Sequence, residues 1–173
     1  LSGLYGGLAQ TKALMKELAG KRTGNVFLQG LRASSAPLLF CGVAQNGGKP
    51  CILIILNDQE EAAYFYHDMV QTMGDQNVLY FPSAFRRAAK YGQKDDASEI
   101  LRTEVLSRLT TVEPGADTLV IVTSADALAE KVVSKSSLED KSIRLNVGET
   151  LDREQLQSLL LELGFNRVDY VYE

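Results

Sequence analysis

Between residues 28 and 40 the chain reads LQGLRASSAPLLF. An apolar run ends in Gly30, four residues follow, and an apolar helix begins. That is the outline of a phosphate-binding loop. There, glycines let backbone amides crowd a β-phosphate, a lysine neutralises the β and γ oxygens, and a hydroxyl holds Mg²⁺. On the spacing G-x-x-x-x-G-K-[ST] only Gly30 is kept, and Ser35, Ala36 and Pro37 occupy the last three places. Ala36 has no charge, and Pro37 has neither a hydroxyl nor an N–H. Arg32 replaces the lysine in part, but nothing replaces the metal ligand. The expectation is a degenerate site with no bound cofactor and no catalytic residue, keeping at most a weak anion affinity at the helix amides.

No other grouping assembles chemistry. His67, the single histidine, lies mid-helix in EEAAYFYHDMV without Cys or His partners, so no metal site is expected. Asp68 beside it projects from a different helix face. Glu60 and Glu61 are adjacent in sequence but diverge on a helix, and one histidine supports no Ser–His–Asp or Cys–His set. Cys41 and Cys51 sit in apolar runs without CxxC spacing, as buried thiols of a reducing cytoplasm do.

The segment SAFRRAAKYGQK (83–94) is basic and follows a predicted strand. In open α/β sheets, loops at the carboxyl ends of strands line the ligand crevice. Arg86, Arg87 and Lys90, interleaved with Phe85 and Tyr91, are therefore candidate contacts for a nucleic-acid backbone or a protein partner. A net charge of −4 and a pI of about 5.1 confine any nucleic-acid contact to such a patch.

The elements that position these residues follow from periodicity. QTKALMKELA (10–19) predicts an amphipathic helix, NVFLQG (25–30) a buried strand, and residues 35–45 a helix with Pro37 in its first turn. CILIIL (51–56), VLYFP (78–82) and TLVIVT (118–123) predict strands buried on both faces. Between them lie a helix to about Met73 with an Asn57–Glu60 capping box, and one over 96–109 with an Asp96–Glu99 box and a Glu104–Arg108 pair. Ser124 caps a helix expected to run to Val133. The predicted fold class is α/β, a mainly parallel sheet with flanking helices.

Beyond this the pattern changes. SKSSLEDKS (134–142) is polar, and IRLNV (143–147) and NRVDYVYE (166–173) alternate as half-exposed strands do, around a helix capped by Thr150 and stopped by Gly164. The expected organisation is a first domain over 1–135, a linker over 136–142, and the first half of a small α+β module over 143–173. With 45% hydrophobic and 23% charged residues the composition is that of a globular protein. No apolar run is long enough to span a bilayer, and the start lacks a signal peptide's pattern. The first residue is Leu and the last stretch breaks off on a strand pattern, so an excised piece of a longer polypeptide is expected.

DQEEAAYFYHDM, VLYFPSAFRRAAKYGQKDDASEILRTEVLSRL, ALAEKVVS and VGETLDREQLQSLLLELGFNRVDYVYE together resemble the N-terminal region of the bacterial transcription–repair coupling factors, the Mfd family. The similarity runs through nearly all of the chain and is weakest at its start. That region of the family is similar to the excision-repair protein UvrB. The resemblance implies a helicase-like domain whose ATP loop has decayed, with Ser35, Ala36 and Pro37 where UvrB carries Gly-Lys-Thr. It also implies a UvrA-binding module from about residue 143, with Arg167 the local candidate for a UvrA contact.

The whole protein would be a cytoplasmic, ATP- and Mg-dependent translocase on double-stranded DNA. It would act on stalled RNA polymerase through downstream domains, and this region would contact its C-terminal domain in the resting state. The alternative, from the residues alone, is a nucleic-acid-binding or small-ligand-binding α/β domain using the basic loop 83–94.

Overall fold

A computed structural model describes residues 2–20, 24–46, 51–85, 95–112, 117–140, 142–143, 147–148, 150, 152–165 and 167–168. The chain divides into two compact units, Leu1–Val132 and Val133–Glu173. In the first, α1 (Ser2–Gly7), α2 (Ala9–Ala19) and α3 (Ser35–Asn46) precede β1 (Cys51–Leu56). Then follow α4 (Gln59–Met73), β2 (Val78–Phe81), α5 (Asp96–Thr110), β3 (Leu119–Ser124) and α6 (Ala125–Leu128). The second unit holds α7 (Lys135–Asp140) and α8 (Arg153–Glu162).

The three strands form a parallel sheet in the order β1-β3-β2, with Cys51 opposite Leu119 and Val78 opposite Val120. β3 is central and every one of its residues is buried, which is why LVIVTS carries apolar or small side chains on both faces. On one face Ile54, Val78, Val120 and Val122 pack against Cys41 and Ala44 of α3 and Ala62 and Met69 of α4. On the other, Leu79, Phe81, Leu119 and Ile121 pack against Val105 of α5 and Ala127 of α6. The crossover β1–α4–β2 runs one way across the sheet and β2–α5–β3 runs back. They lie on opposite faces, as connections of one hand must.

Three helices start one or two residues from the expected caps, two of them on a carboxylate that accepts from the helix amides. Asp58, not Asn57, caps α4, its Oδ1 accepting from the Glu61 N–H at 2.9 Å, while Glu61 Oε2 reaches back to Asn57. Asp95, not Asp96, precedes α5, and its carboxylate accepts from Ser98 Oγ at 2.8 Å. Asp152, not Thr150, caps α8 by accepting from the Glu154 and Gln155 amides. At α4 and α8 the negative charge of Asp58 and Asp152 is favoured at the positive end of the helix over the neutral Asn57 and Thr150; at α5 both Asp95 and Asp96 are carboxylates, so charge does not choose between them.

Three expectations are corrected. Residues 25–30 form no strand: Phe27 is 87% exposed, and only Leu28 packs, against Leu14, Leu39 and Val43. With no hydrogen-bonded neighbour, apolar β-formers alone do not hold a strand. The helix after Ser124 stops at Leu128 instead of Val133. Arg108, expected to pair with Glu104, donates to the Gln76 carbonyl and to Asn77 Oδ1. The polar stretch expected as a linker contains the short helix α7. Of the strands expected at 143–147 and 166–173, most residues lie outside those described, and none of those described is in a strand.

α1 and α3 meet backbone to backbone. A Cβ on Gly42 would lie 3.0 Å from Gly6 N and 3.2 Å from its Cα, with no flexible side chain to yield. Gly42→Ala is expected to destabilise the first unit by about 1–3 kcal/mol, read from a urea titration.

Candidate functional site

The loop into α3 opens at Gly30, whose φ of +85° is the left-handed conformation, and includes Ala33 at +47°. Ser35 Oγ accepts from the Arg32 N–H at 2.6 Å, and the Ser35 N–H donates to the Arg32 carbonyl at 3.0 Å. Two amides of the turn are thus used internally, and Pro37, which has none, is buried at the start of α3. No strand feeds the loop among the described residues, so Gly30, Ser35, Ala36 and Pro37 lie on an irregular segment leading into a helix.

Arg86, Arg87 and Lys90 lie outside the described residues. The two roots of their segment are placed, and the Asp95 N–H donates to the Ala84 carbonyl at 2.9 Å. Beneath these roots is a feature that sequence reasoning missed. Arg102 of α5 is only 4% exposed. Its Nη1 donates to the Pro82 carbonyl at 2.8 Å and lies 3.1 Å from Glu130 Oε2, while its guanidinium stacks over Phe81 at 4.2 Å. Glu130 also accepts from the Ala84 N–H at 2.9 Å and from Ser83 Oγ. One buried ion pair therefore ties the exits of β2 and β3 together. The signal was present: Ser98, Arg102 and Val105 share the inward face of α5, and a charge on such a face demands a buried partner.

His67 is exposed and its ring lies 5.5 Å from that of Tyr66. Glu61 serves as a helix-capping group, and Glu60 is exposed. Among the described residues no three His, Cys, Asp or Glu side chains gather as metal ligands, and no helix is long and apolar enough to cross a membrane.

Burial pushes the Cys41 thiol up to about 11, with the charge of Asp68 adding and a hydrogen bond to Thr72 opposing. The folded value lies above the unfolded one, so this contribution to stability is complete below about pH 9 and is lost as pH rises toward 11. The Tyr66 and Tyr80 phenols, also raised by burial, act in the same direction. The urea midpoint is expected to fall between pH 8 and pH 10.5, and Cys41→Ala to flatten that fall. An unchanged midpoint would contradict the assignment.

In the second unit, α8 and the turn after it enclose a groove of about 290 Å³ lined by Leu156, Leu160, Leu161 and Phe165, with Arg153 and Arg167 among the lining residues. Phe165 is 62% exposed. Gly164, at φ +91°, turns the chain so that the Phe165 N–H donates to the Leu160 carbonyl at 3.0 Å. Arg167 thus stands with a second arginine on an apolar surface.

These features define a parallel α/β domain with helices on both faces of its sheet, joined to a small second unit with an arginine-lined apolar groove. The chain is related to a region of a transcription-repair-coupling factor. Over 144 residues it is 24% identical to the Transcription-repair-coupling factor of Bacillus subtilis (strain 168). The match covers 83% of this chain and 12% of that protein, so the chain spans only a small part of the relative's length. No family model matches the chain, and no solved structure matches it.

Proposed function

We propose that this chain is a non-catalytic scaffold within a transcription–repair coupling factor, a degenerate UvrB-like domain followed by the start of a module that presents itself to UvrA. One observation carries the non-catalytic reading. The turn into α3 has Ala36 and Pro37 where a nucleotide site needs a lysine and a hydroxyl, and its Arg32 N–H is bonded to Ser35 Oγ. The groove lined by Arg153, Arg167 and Phe165 suits an acidic partner surface that also offers an apolar side chain, and UvrA is the partner assigned to it.

The remaining functions belong to the longer protein. ATP and Mg²⁺ would be used by its motor, which would move on double-stranded DNA in the cytoplasm and engage stalled RNA polymerase. Its C-terminal domain would contact this region at rest.

Titration calorimetry with Mg-ATP is expected to show no binding to this chain, and micromolar affinity would overturn the non-catalytic reading. Arg153→Glu with Arg167→Glu is expected to weaken UvrA binding by roughly tenfold or more. Wild-type affinity in that double variant would remove the groove from the interface.

A second reading rests on the hydrogen bond that closes the roots of segment 86–94 at the carboxyl side of β2, where α/β sheets bind ligands. It makes Arg86, Arg87 and Lys90 a nucleic-acid or small-ligand contact. Nucleic-acid affinity that falls steeply with salt and is lost on their replacement by Ala would favour it.

A further inference from the structure

Charge is spread unevenly along this chain. Residues 1–56 hold six of its 18 lysines and arginines but only one of its 22 acids, Glu17. The remainder is acidic, so a net charge of −4 conceals a basic end. Such a stretch draws anions locally even when the whole protein repels them.

The fold gathers that end into one layer. α1 and α2 both pack on α3. Leu14 of α2 and Leu28 of the irregular segment 24–32 meet Leu39 and Val43 of α3 in one cluster, so helix and segment share a support. Thr11 and Leu14 are buried on the inner side of α2. Lys12 and Lys16, one turn apart on its outer side, are exposed, as is Arg32. Among the described residues no carboxylate or hydrogen-bond acceptor engages any of these three side chains. On the segment itself Phe27 is 87% exposed, on backbone that belongs to no strand.

We infer that α2 and segment 24–32 form a binding surface for single-stranded nucleic acid. Lys12, Lys16 and Arg32 neutralise phosphates, and the Phe27 ring stacks on an unpaired base. Three free cations beside an open aromatic face are the two elements such binding needs, and neither requires a recess. A duplex fits less well, because its bases are already stacked on one another and give the ring no face to cover. A lipid surface fits less well too. It takes up the apolar stripe of a helix, and the stripe of α2 is spent on α3. An acidic protein segment would satisfy the cations and leave Phe27 without a partner.

Fluorescence anisotropy with a labelled oligo-dT of about 15 nucleotides tests the inference. This chain is expected to bind at low salt, with log affinity falling against log salt at a slope of about −2, as three phosphate contacts on a single strand require. Lys12→Glu, Lys16→Glu and Arg32→Glu together, all at exposed positions, should lower the affinity by roughly tenfold or more. Replacing Arg86, Arg87 and Lys90 by Ala should leave it unchanged. Absence of binding at low salt would overturn the inference, as would loss of binding with the second set and not the first. Equal affinity for a duplex of the same length would overturn the single-strand assignment.

The chain contains no tryptophan, so Phe27→Trp installs a single reporter. Its emission should be quenched by oligo-dT and unmoved by polyglutamate or by vesicles of anionic phospholipid. A response to either of those and not to oligo-dT would assign the surface to an acidic protein or a membrane and overturn the inference. Phe27→Ala should weaken oligo-dT binding by roughly fivefold or more without changing the salt slope. Unchanged affinity in that variant would remove the ring from the site. None of these readouts involves UvrA, Arg153 or Arg167, so the scaffold reading stands or falls separately.

Discussion

Arg102→Ala is expected to destabilise the first unit by about 3–5 kcal/mol, because it strands Glu130 in a largely buried setting. The side chains of the pair are only 5% and 15% exposed. Removing the guanidinium takes away the donor to the Pro82 carbonyl, the stack on Phe81 and the neutralising charge beside Glu130 in one step. Glu130→Ala should cost less, since the Arg102 Nη1 keeps its carbonyl partners, Pro82 and Ala127, while Ser83 Oγ and the Ala84 N–H lose their acceptor.

The double variant should be more stable than the sum of the two losses predicts, with a coupling of about 1–3 kcal/mol. Arg102→Met, which keeps the aliphatic stem and adds no charge, should fall between wild type and Arg102→Ala when paired with Glu130→Gln. Urea titrations of the wild type and the four variants measure all of this. A loss below about 1 kcal/mol for Arg102→Ala would mean that the pair is not buried in solution.

The second large effect concerns the sheet's covered face. Met69 is fully buried between α4 and the sheet, and Met69→Ala is expected to cost about 2–5 kcal/mol through lost burial and the cavity left behind. Leu53→Ala, an equally apolar truncation on the other face of β1, should cost less than about 1 kcal/mol because the side chain is half in water. The ratio matters more than either value. Similar losses at the two positions would show that Leu53 is covered in this chain after all.

Strand identity was legible because burial on both faces leaves one kind of residue behind, as in VLYF and LVIVTS; CILIIL reads the same way, but its expected burial on both faces is not met, since Leu53 and Ile55 stay half exposed. The same logic misplaced residues 25–30. NVFLQG has the composition of a strand, but a strand also needs a neighbour to bond, and neighbours are not written in the segment. Caps were found to within two residues because Asn57, Asp58, Asp95, Asp96, Thr150 and Asp152 all have capping chemistry. Choosing among them needs the backbone's entry path, as at Asp95, whose N–H is held by Ala84.

Of the candidate site, the missing lysine and hydroxyl at Ala36 and Pro37 could be read directly, since absence of a functional group is a property of residue type. Arg102 and Glu130, 28 positions apart, could not be paired from spacing, because only the return of the chain through β3 brings them together. The association of Arg153 with Arg167 likewise depends on the left-handed turn at Gly164.

The hydrogen bond from Asp95 to Ala84 closes the chain across segment 86–94 before that segment's own residues are considered. Ser83 and Ala84 are held from below by Glu130, and α5 begins directly after Asp95. The entropy of bringing the two ends together is therefore met by the clamp, and it grows only slowly with the number of residues between them. Changes of sequence or length in that interval are therefore expected to leave the sheet as it is. The joint behaves as a socket with standard fittings, and natural variation or engineered insertion can exchange what it carries without rebuilding the wall behind it.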